Sequence, residues 1–299
     1  MLRRRFIQTT SGIAAAGLVS SLARPLWAFP QESIYKETIG LQLWTVRNQI
    51  KKNKKKTLKA VADAGYKQVE LIDVIDAKEQ LPICKDLGLQ VTSAFMNWEA
   101  ICKPKSRKIP TLESIAEAAA AAELKHLVFG YIGKGYREKA DQYKSYAQTA
   151  NEFGELLKKS DIQLCYHNHS FEFAKIEGEK TGYDFLIEHL DNEKCKFELD
   201  VFWAKIGGWD PIETMDTLAG RISQVHLKDL KKDTPVIYNE GKVPKNAFKE
   251  LGNGSIDLVK ILAKAEEIDV EQCHVEQDHS PDPIASVGQS IKYFNSISE

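Results

Sequence analysis

The chain has 299 residues, 43% of them hydrophobic and 28% charged, with 41 basic against 42 acidic side chains and a formal net charge of −1. A charge so close to zero supplies no field to draw in a nucleic-acid backbone or an anionic membrane, so neither is expected as a partner. Five scattered cysteines (Cys84, Cys102, Cys165, Cys195, Cys273) without CxxC spacing exclude a disulfide framework and a thiolate zinc site, and they read as buried thiols.

The N-terminus differs in kind from the rest. Arg3-Arg4-Arg5-Phe6 is followed by a mildly apolar, Ala- and Gly-rich run from Ile13 to Leu22, then Arg24, Pro25 and a cleavage point after Ala28. A basic start, a short apolar stretch and no acidic residue before Glu32 describe an export signal too short to span a bilayer. The paired arginines resemble those of a twin-arginine signal, whose route carries folded proteins. Residues 1–28 are therefore read as such a signal. Residues 29–299 are read as one domain, periplasmic and without membrane insertion after cleavage.

From there extended and helical patterns alternate. The strands are predicted at 39–45, 66–72, 89–95, 126–131, 162–167, 196–202, 222–228 and 270–277. The helices are predicted at 55–64, 79–87, 109–123, 139–159, 181–190, 211–219, 256–268 and 283–294. Gly65 and Gly88 suit helix C-caps, while Pro211 and Pro283 sit where a first helical turn tolerates proline. Eight such alternations call for a parallel sheet. An open doubly wound sheet would show a GxGxxG after its first strand and one polar switch point, and neither is present. The prediction is an α/β fold, a single-domain (β/α)8 TIM barrel, of the usual size for one.

Four of the strands end in polar clusters: Tyr166-His167-Asn168-His169, Glu198-Leu199-Asp200, His226-Leu227-Lys228-Asp229 and His274-Val275-Glu276-Gln277-Asp278. Residues two apart share a strand face. His167 with His169, Glu198 with Asp200, His226 with Lys228, and His274 with Glu276 therefore converge on one interior. Leu199, Val201, Leu227 and Val275 turn outward to pack on helices. Buried imidazoles and carboxylates need partners, and a divalent cation would be one. Oxygen and imidazole donors without thiolate suit Mn2+, Mg2+, Co2+ or Zn2+, with Mn2+ favoured for a carboxylate-rich set. Earlier strands add Gln42 and Trp44, expected on one face of the first strand, and Glu70 at the end of the second. With Trp203 they form a candidate substrate surface, Tyr131 and Arg137 being weaker members. The connection from 229 to 255 is long enough to be a lid.

Six motifs together carry a family resemblance: GLQLWTVR (40–47), YHNHSFEF (166–173), ELDVFW (198–203), HLKD (226–229), ELGNGSID (250–257) and VEQD (275–278). From about residue 38 onward the chain resembles the xylose isomerase-like barrels, which include sugar phosphate isomerases and epimerases and inosose dehydratase. The resemblance implies one divalent metal held by an acidic residue after the fifth strand, Asp200 on the sixth, His226 on the seventh and Glu276 on the eighth. Where epimerases of the family carry a glutamate within the fifth strand, this chain has Cys165 or a neighbour. Glu172 is the expected fourth ligand, with His169 as the alternative. Asn253 stands where a loop glutamate is often found.

The expected chemistry is proton abstraction next to a carbonyl of a sugar or keto-sugar through a metal-stabilised enediolate. His167, His169, Glu198 and Lys228 are the candidate acids and bases, Lys228 alternatively as an oxyanion stabiliser. Proton return gives isomerisation or epimerisation; loss of a β-substituent gives dehydration or glycoside cleavage. A free or oxidised sugar is expected ahead of a phosphorylated one, since no Arg/Gly phosphate cradle stands out. The rivals are metal-dependent phosphodiester cleavage, which needs a basic face, and a non-catalytic sugar-binding barrel. No feature sets an oligomeric state.

Overall fold

The computed structural model describes residues 33–298 apart from 105 and 107, so the export signal read at residues 1–28 lies outside the described residues. Eight parallel strands close into a barrel: β1 (Gly40–Gln42), β2 (Gln68–Leu71), β3 (Gln90–Phe95), β4 (His126–Phe129), β5 (Gln163–His167), β6 (Cys195–Asp200), β7 (Ile222–Leu227) and β8 (Gln272–Val275). Their order around the barrel is β1-β8-β7-β6-β5-β4-β3-β2, and every pairing is parallel. Helices succeed the strands and cover the outside, the longest being Ala140–Leu157 and Pro283–Ser298. None of the described helices is long and apolar enough to cross a membrane.

The outward strand residues pack as their parity requires. Leu199, Leu227 and Val275 join one buried apolar cluster with helix residues such as Leu58, Phe153 and Ile261. Gly65, with φ of 112°, ends the helix Lys54–Ala64 in the left-handed conformation that glycine adopts freely.

Strand ends depart from the sequence reading where a side chain caps the next element. Gln42 stops β1 because its Oε1 accepts from Trp44 N (2.9 Å), starting a 3-10 turn over Leu43–Val46. Trp44 is therefore not on the strand face of Gln42 but on the rim. Asp200 likewise ends β6, since its Oδ1 accepts from Trp203 N (2.8 Å) and caps the helix Val201–Ile206.

Two register shifts sit at the centre of the barrel. Between β2 and β3, Val69 pairs with Val91 but Glu70 pairs with Ser93; between β6 and β7, Phe197 pairs with Ile222 but Glu198 pairs with Gln224. Each bulge advances the neighbouring strand by one residue and re-aims its side chains. Ser93 and Gln224 thereby come opposite two buried carboxylates.

The long connection after β7 folds back as a small hairpin, Asp229–Leu230 with Phe248–Lys249. Leu230, Val243, Ala247 and Phe248 pack with Phe202, Trp203 and Ile206 in a second apolar cluster above the barrel. Asp229 holds the base of this connection by accepting backbone N–H bonds from Leu230, Gly252, Gly254 and Ile256 at 2.8–3.0 Å. A Cβ on Gly254 would stand 2.2 Å from Asp229 Oδ1, which explains the glycine there. Asn253 is exposed at the surface of this turn.

Candidate active site

At the end of the barrel from which β5–β8 emerge, four side chains from four strands meet. His167, Asp200, His226 and Glu276 each present one donor atom, and all four atoms lie within 4.8 Å of one another. His226 is the hub. Its Nδ1 lies 2.9 Å from Glu276 Oε2 and 3.9 Å from Asp200 Oδ2, while its Nε2 lies 2.7 Å from Glu70 Oε2 and 3.3 Å from Glu198 Oε2. His167 turns its Nδ1 toward Glu198 Oε2 at 3.0 Å. Each imidazole thus has a carboxylate behind one nitrogen and the cluster in front of the other, the arrangement that fixes tautomer and orientation in histidine metal ligands.

The carboxylates behind are themselves held. Glu70 accepts from Gln42 Nε2 (2.6 Å), Ser93 Oγ (2.6 Å) and His226, and Glu198 accepts from Gln224 Nε2 (3.0 Å). Both are fully buried. A second group of possible ion ligands, Glu70, Glu198, His226 and His274, overlaps this layer. Its two carboxylates are engaged by Gln42, Ser93, Gln224, His167 and His226, whereas both ring nitrogens of His274 have no hydrogen-bond partner among the described residues.

Lys228 projects over the cluster. Its Nζ lies 3.1 Å from Asp200 Oδ2, 2.7 Å from Glu276 Oε2 and 2.7 Å from Asp278 Oδ2. Burial works against its charge, yet Asp200, Asp278 and Glu276 push its pKa well above the usual lysine value, so it stays an ammonium. Burial raises the Asp200 carboxyl to about 6, with Lys228 and His226 opposing. His169 is driven the other way: burial first, then the Lys228 charge, lowers it to about 3, leaving a neutral imidazole. Burial also keeps His167 neutral.

A cavity of about 410 Å3 opens above, walled by Phe95, Tyr131, His169, Trp203 and Phe248 and reaching Trp44 and Arg47 at its lip. Three buried polar atoms here have no hydrogen-bond partner among the described residues: His169 Nδ1, Trp203 Nε1 and Asp200 Oδ2, the last in charge contact with Lys228 and His226. Orphaned buried polar atoms are rare and ask for a ligand. The donor set fits a divalent cation as well. Asp200, Glu276, Glu70 and Asp278 outnumber Lys228 and His226, while burial holds the Glu198 carboxyl well above the usual carboxylate range, and the imidazoles and carboxylates are the donors such ions take.

The residues singled out from sequence fall into three places. Asp200, His226, Glu276 and His167 form the cluster, while Lys228, His169, Trp203, Gln42 and Trp44 line the cavity. Glu70 and Glu198 stand behind the histidines, each bonded to an imidazole nitrogen, and neither is among the residues that line the cavity. Glu172 requires a correction. After β5, Asn168 clamps the Asp200 backbone in both directions (3.0 and 3.2 Å), and Phe171–Phe173 form a 3-10 turn. This carries the Glu172 carboxylate behind the strand, where it accepts from Tyr166 OH (2.7 Å) and His169 N (3.0 Å). It is no member of the cluster; nor is His169, and the fifth-strand position is filled by His167. Burial lifts the Glu172 carboxyl to about 7.

Asp278, Ser93, Gln224 and Phe95 are site residues that the sequence reading missed. Asp278 was within its reach, since it continues the two-residue spacing of His274 and Glu276. Ser93 and Gln224 depend on bulges that leave no trace in composition. Glu240, from the long connection, closes one side of the cavity: it accepts from Tyr131 OH (2.8 Å), and Arg137 Nη2 donates to both of its oxygens (2.8 and 2.9 Å).

Barrel, cluster and cavity together agree with one family. The model described as xylose isomerase-like TIM barrel matches residues 58–297, and the chain belongs to that family. Over 134 residues the chain is 28% identical to an inosose dehydratase of Geobacillus kaustophilus, a stretch that is 43% of this chain and 42% of the relative. The match thus spans less than half the length of that curated relative. Among solved structures, a sugar phosphate isomerase/epimerase from Parabacteroides distasonis superposes with a TM-score of 0.71 at 22% identity, covering 96% of this chain and 100% of the other. A D-allulose 3-epimerase from Methylomonas sp. in complex with D-allulose superposes with a TM-score of 0.60 at 14% identity, covering 90% and 98%. Likeness at those identities bears on the fold.

Proposed function

We propose that the chain is a metal-dependent enzyme that removes a proton next to the carbonyl of a sugar or keto-sugar, with isomerisation or epimerisation as the outcome. His167, Asp200, His226 and Glu276 would hold the cation, Mn2+ ahead of Mg2+, Co2+ or Zn2+. Bound there, a divalent ion supplies a Lewis acid that polarises the substrate's oxygens and offsets negative charge as it develops.

The chain's own groups supply the rest. His169, a cavity-lining residue with a neutral imidazole whose Nδ1 has no hydrogen-bond partner among the described residues, is the base. Lys228, locked as an ammonium over Asp200 and Glu276, stands opposite as the charge that favours an oxyanion. Trp203 Nε1 is a donor for a substrate hydroxyl, and Phe95 and Phe248 exclude water beside it. The observation that carries the reading is a cavity whose floor is a carboxylate–imidazole cluster and whose wall residues His169 and Trp203 each have a ring nitrogen with no hydrogen-bond partner among the described residues.

Dehydration of a keto-sugar or inosose is the second reading, favoured by the likeness to inosose dehydratase. Both outcomes begin with the same proton removal by His169 and part afterwards: a proton returned to carbon gives the isomer or epimer, whereas a β-hydroxyl that takes up the proton leaves as water. The test is metal analysis, then incubation of keto-sugars and inososes in deuterated water. Wash-in of deuterium at one carbon with substrate recovered or epimerised supports the first reading, and loss of water supports the second. Sugar binding by a metal-free protein without exchange would leave a binding barrel in place of an enzyme.

The exported location belongs to the same proposal. Replacing Arg3 and Arg4 by Lys is expected to leave uncleaved precursor in the cytoplasm; unchanged export removes the twin-arginine assignment.

A further inference from the structure

We propose that the cavity carries an outer subsite at Trp44 for the second ring of a glycoside, so that the substrate class is a keto-sugar bearing an O-linked sugar and not the free monosaccharide. The inner ring's place rests on the proton-abstraction reading above; the outer ring's place rests on the geometry of the lip.

The cavity has two aromatic tiers. Around the floor, Trp203 and Phe248 are nearly fully buried and interlocked, with centroids 5.6 Å apart at 75°. Trp44, at the lip, is 43% exposed and pairs with no other aromatic ring among the described residues. An exposed tryptophan alone is ordinary on a protein surface. This one is held at both ends. Its backbone N–H is fixed by Gln42 Oε1 (2.9 Å), and the Arg47 guanidinium lies 4.5 Å from its ring centroid. An aromatic ring fixed before the ligand arrives loses little freedom on stacking.

The lip is also asymmetric. On the β4 and β7 side, Glu240 is tied to Tyr131 and Arg137 and closes the mouth. On the β1 and β2 side, Trp44 and the half-buried Ile72 border the opening. A ring seated on the floor therefore has its outward substituent directed across Trp44.

The platform suits a neutral ring. Arg47 donates one N–H from each terminal nitrogen to a backbone carbonyl, Nη1 to Trp44 O (2.7 Å) and Nη2 to Asp278 O (2.8 Å). In that orientation the guanidinium, 4.5 Å from the ring centroid, steadies the tryptophan. The volume, about 410 Å3, is within the range of roughly 300–1,000 Å3 usual for small-molecule sites.

The experiment uses the full metal-loaded protein and two probes, glucose and cellobiose, each oxidised at one ring hydroxyl. Affinity is measured by calorimetry, independently of turnover, and kcat and KM are measured where turnover occurs. The disaccharide is expected to bind at least about tenfold more tightly. Trp44→Ala should bring the ratio of the two affinities toward one, with the loss in KM more than in kcat, and Trp44→Phe should retain most of it. Equal affinities in the unaltered protein, or a Trp44→Ala variant that keeps the ratio, overturn the outer subsite. Absence of deuterium exchange with the affinity ratio intact overturns the proton-abstraction reading and leaves the subsite standing. Failure of both sugars to bind overturns both.

Discussion

The two halves of the barrel mouth are built for different work. The half from β5 to β8 delivers His167, Asp200, His226, Lys228 and Glu276, every one a group that carries charge or binds a cation. The half from β1 to β4 delivers Gln42, Glu70, Ser93, Phe95 and Gly130. From this half Glu70 reaches across to the His226 nitrogen that faces away from the cluster. One half thus gathers the charged and cation-binding groups, while the other shapes the cavity and buttresses His226. Gly130 shows how closely that shape is drawn: a Cβ there would lie 2.2 Å from the Phe95 ring that walls the cavity.

The sharpest way to break this division is to remove a donor from the charged half. Asp200→Ala or Glu276→Ala should lose bound metal and lower kcat/KM by about a thousandfold or more, since a Lewis acid contributes several kcal/mol and each 1.36 kcal/mol is tenfold. Metal content and rate are measured on the same preparation; a metal-loaded, fully active variant removes both residues from the ligand set. Next in size is Lys228→Met, which leaves Asp200, Glu276 and Asp278 facing one another without their cation. Breaking a buried ion pair from one side costs about 3–5 kcal/mol. Chemical denaturation in chelator should show that loss, and added Mn2+ should restore part of it by returning positive charge to Asp200 and Glu276. An unchanged midpoint in chelator would mean that the three carboxylates are not ionised together.

A smaller effect is expected from the shaping half. Glu70→Gln keeps the bonds to Gln42 and Ser93 within reach but takes the negative charge from behind His226. Metal affinity should fall about 10- to 100-fold with the fold intact. Equal affinity in a metal titration would reduce Glu70 to a packing role and erase the distinction between the halves.

Which of these groups are legible in the chain depends on what fixes them. Strand parity places Asp200, His226 and Glu276 on one axis because alternation is a property of the backbone alone, and the same rule delivers Leu199, Leu227 and Val275 to the helices. Barrel closure is legible for a similar reason: eight alternations leave few ways to bury both faces of a parallel sheet. The failures lie where a side chain overrides the local pattern. Gln42 and Asp200 end their strands early by capping the helical turns next in the chain, so Trp44 belongs to the rim. The bulges opposite Glu70 and Glu198 turn two expected participants into supports. Glu172 escapes a local reading because the tight turn after β5 is fixed by Asn168 holding β6, a contact between residues far apart in sequence.

Glu172 offers the finest test, because it sits outside both halves, behind β5. Its carboxyl is lifted from 4.5 to about 7, burial being the first cause and the bonds from Tyr166 and His169 acting against it. A folded-state pKa above the unfolded one means that the folded protein holds the proton more tightly. The contribution to stability is therefore complete below about 4.5 and is lost as pH rises through about 7. For a fully buried group this amounts to roughly 3 kcal/mol across the window. Glu172→Gln stays neutral at every pH: its carbonyl can accept from His169 N while its amide donates to the Tyr166 oxygen. Unfolding free energies compared at pH 4.5 and pH 8 should thus shift in the variant's favour by about 2–3 kcal/mol, with metal content and turnover close to those of the parent. A variant that loses its metal would return Glu172 to the ligand set, and a pH-independent difference would show that the carboxyl is already ionised in its buried place.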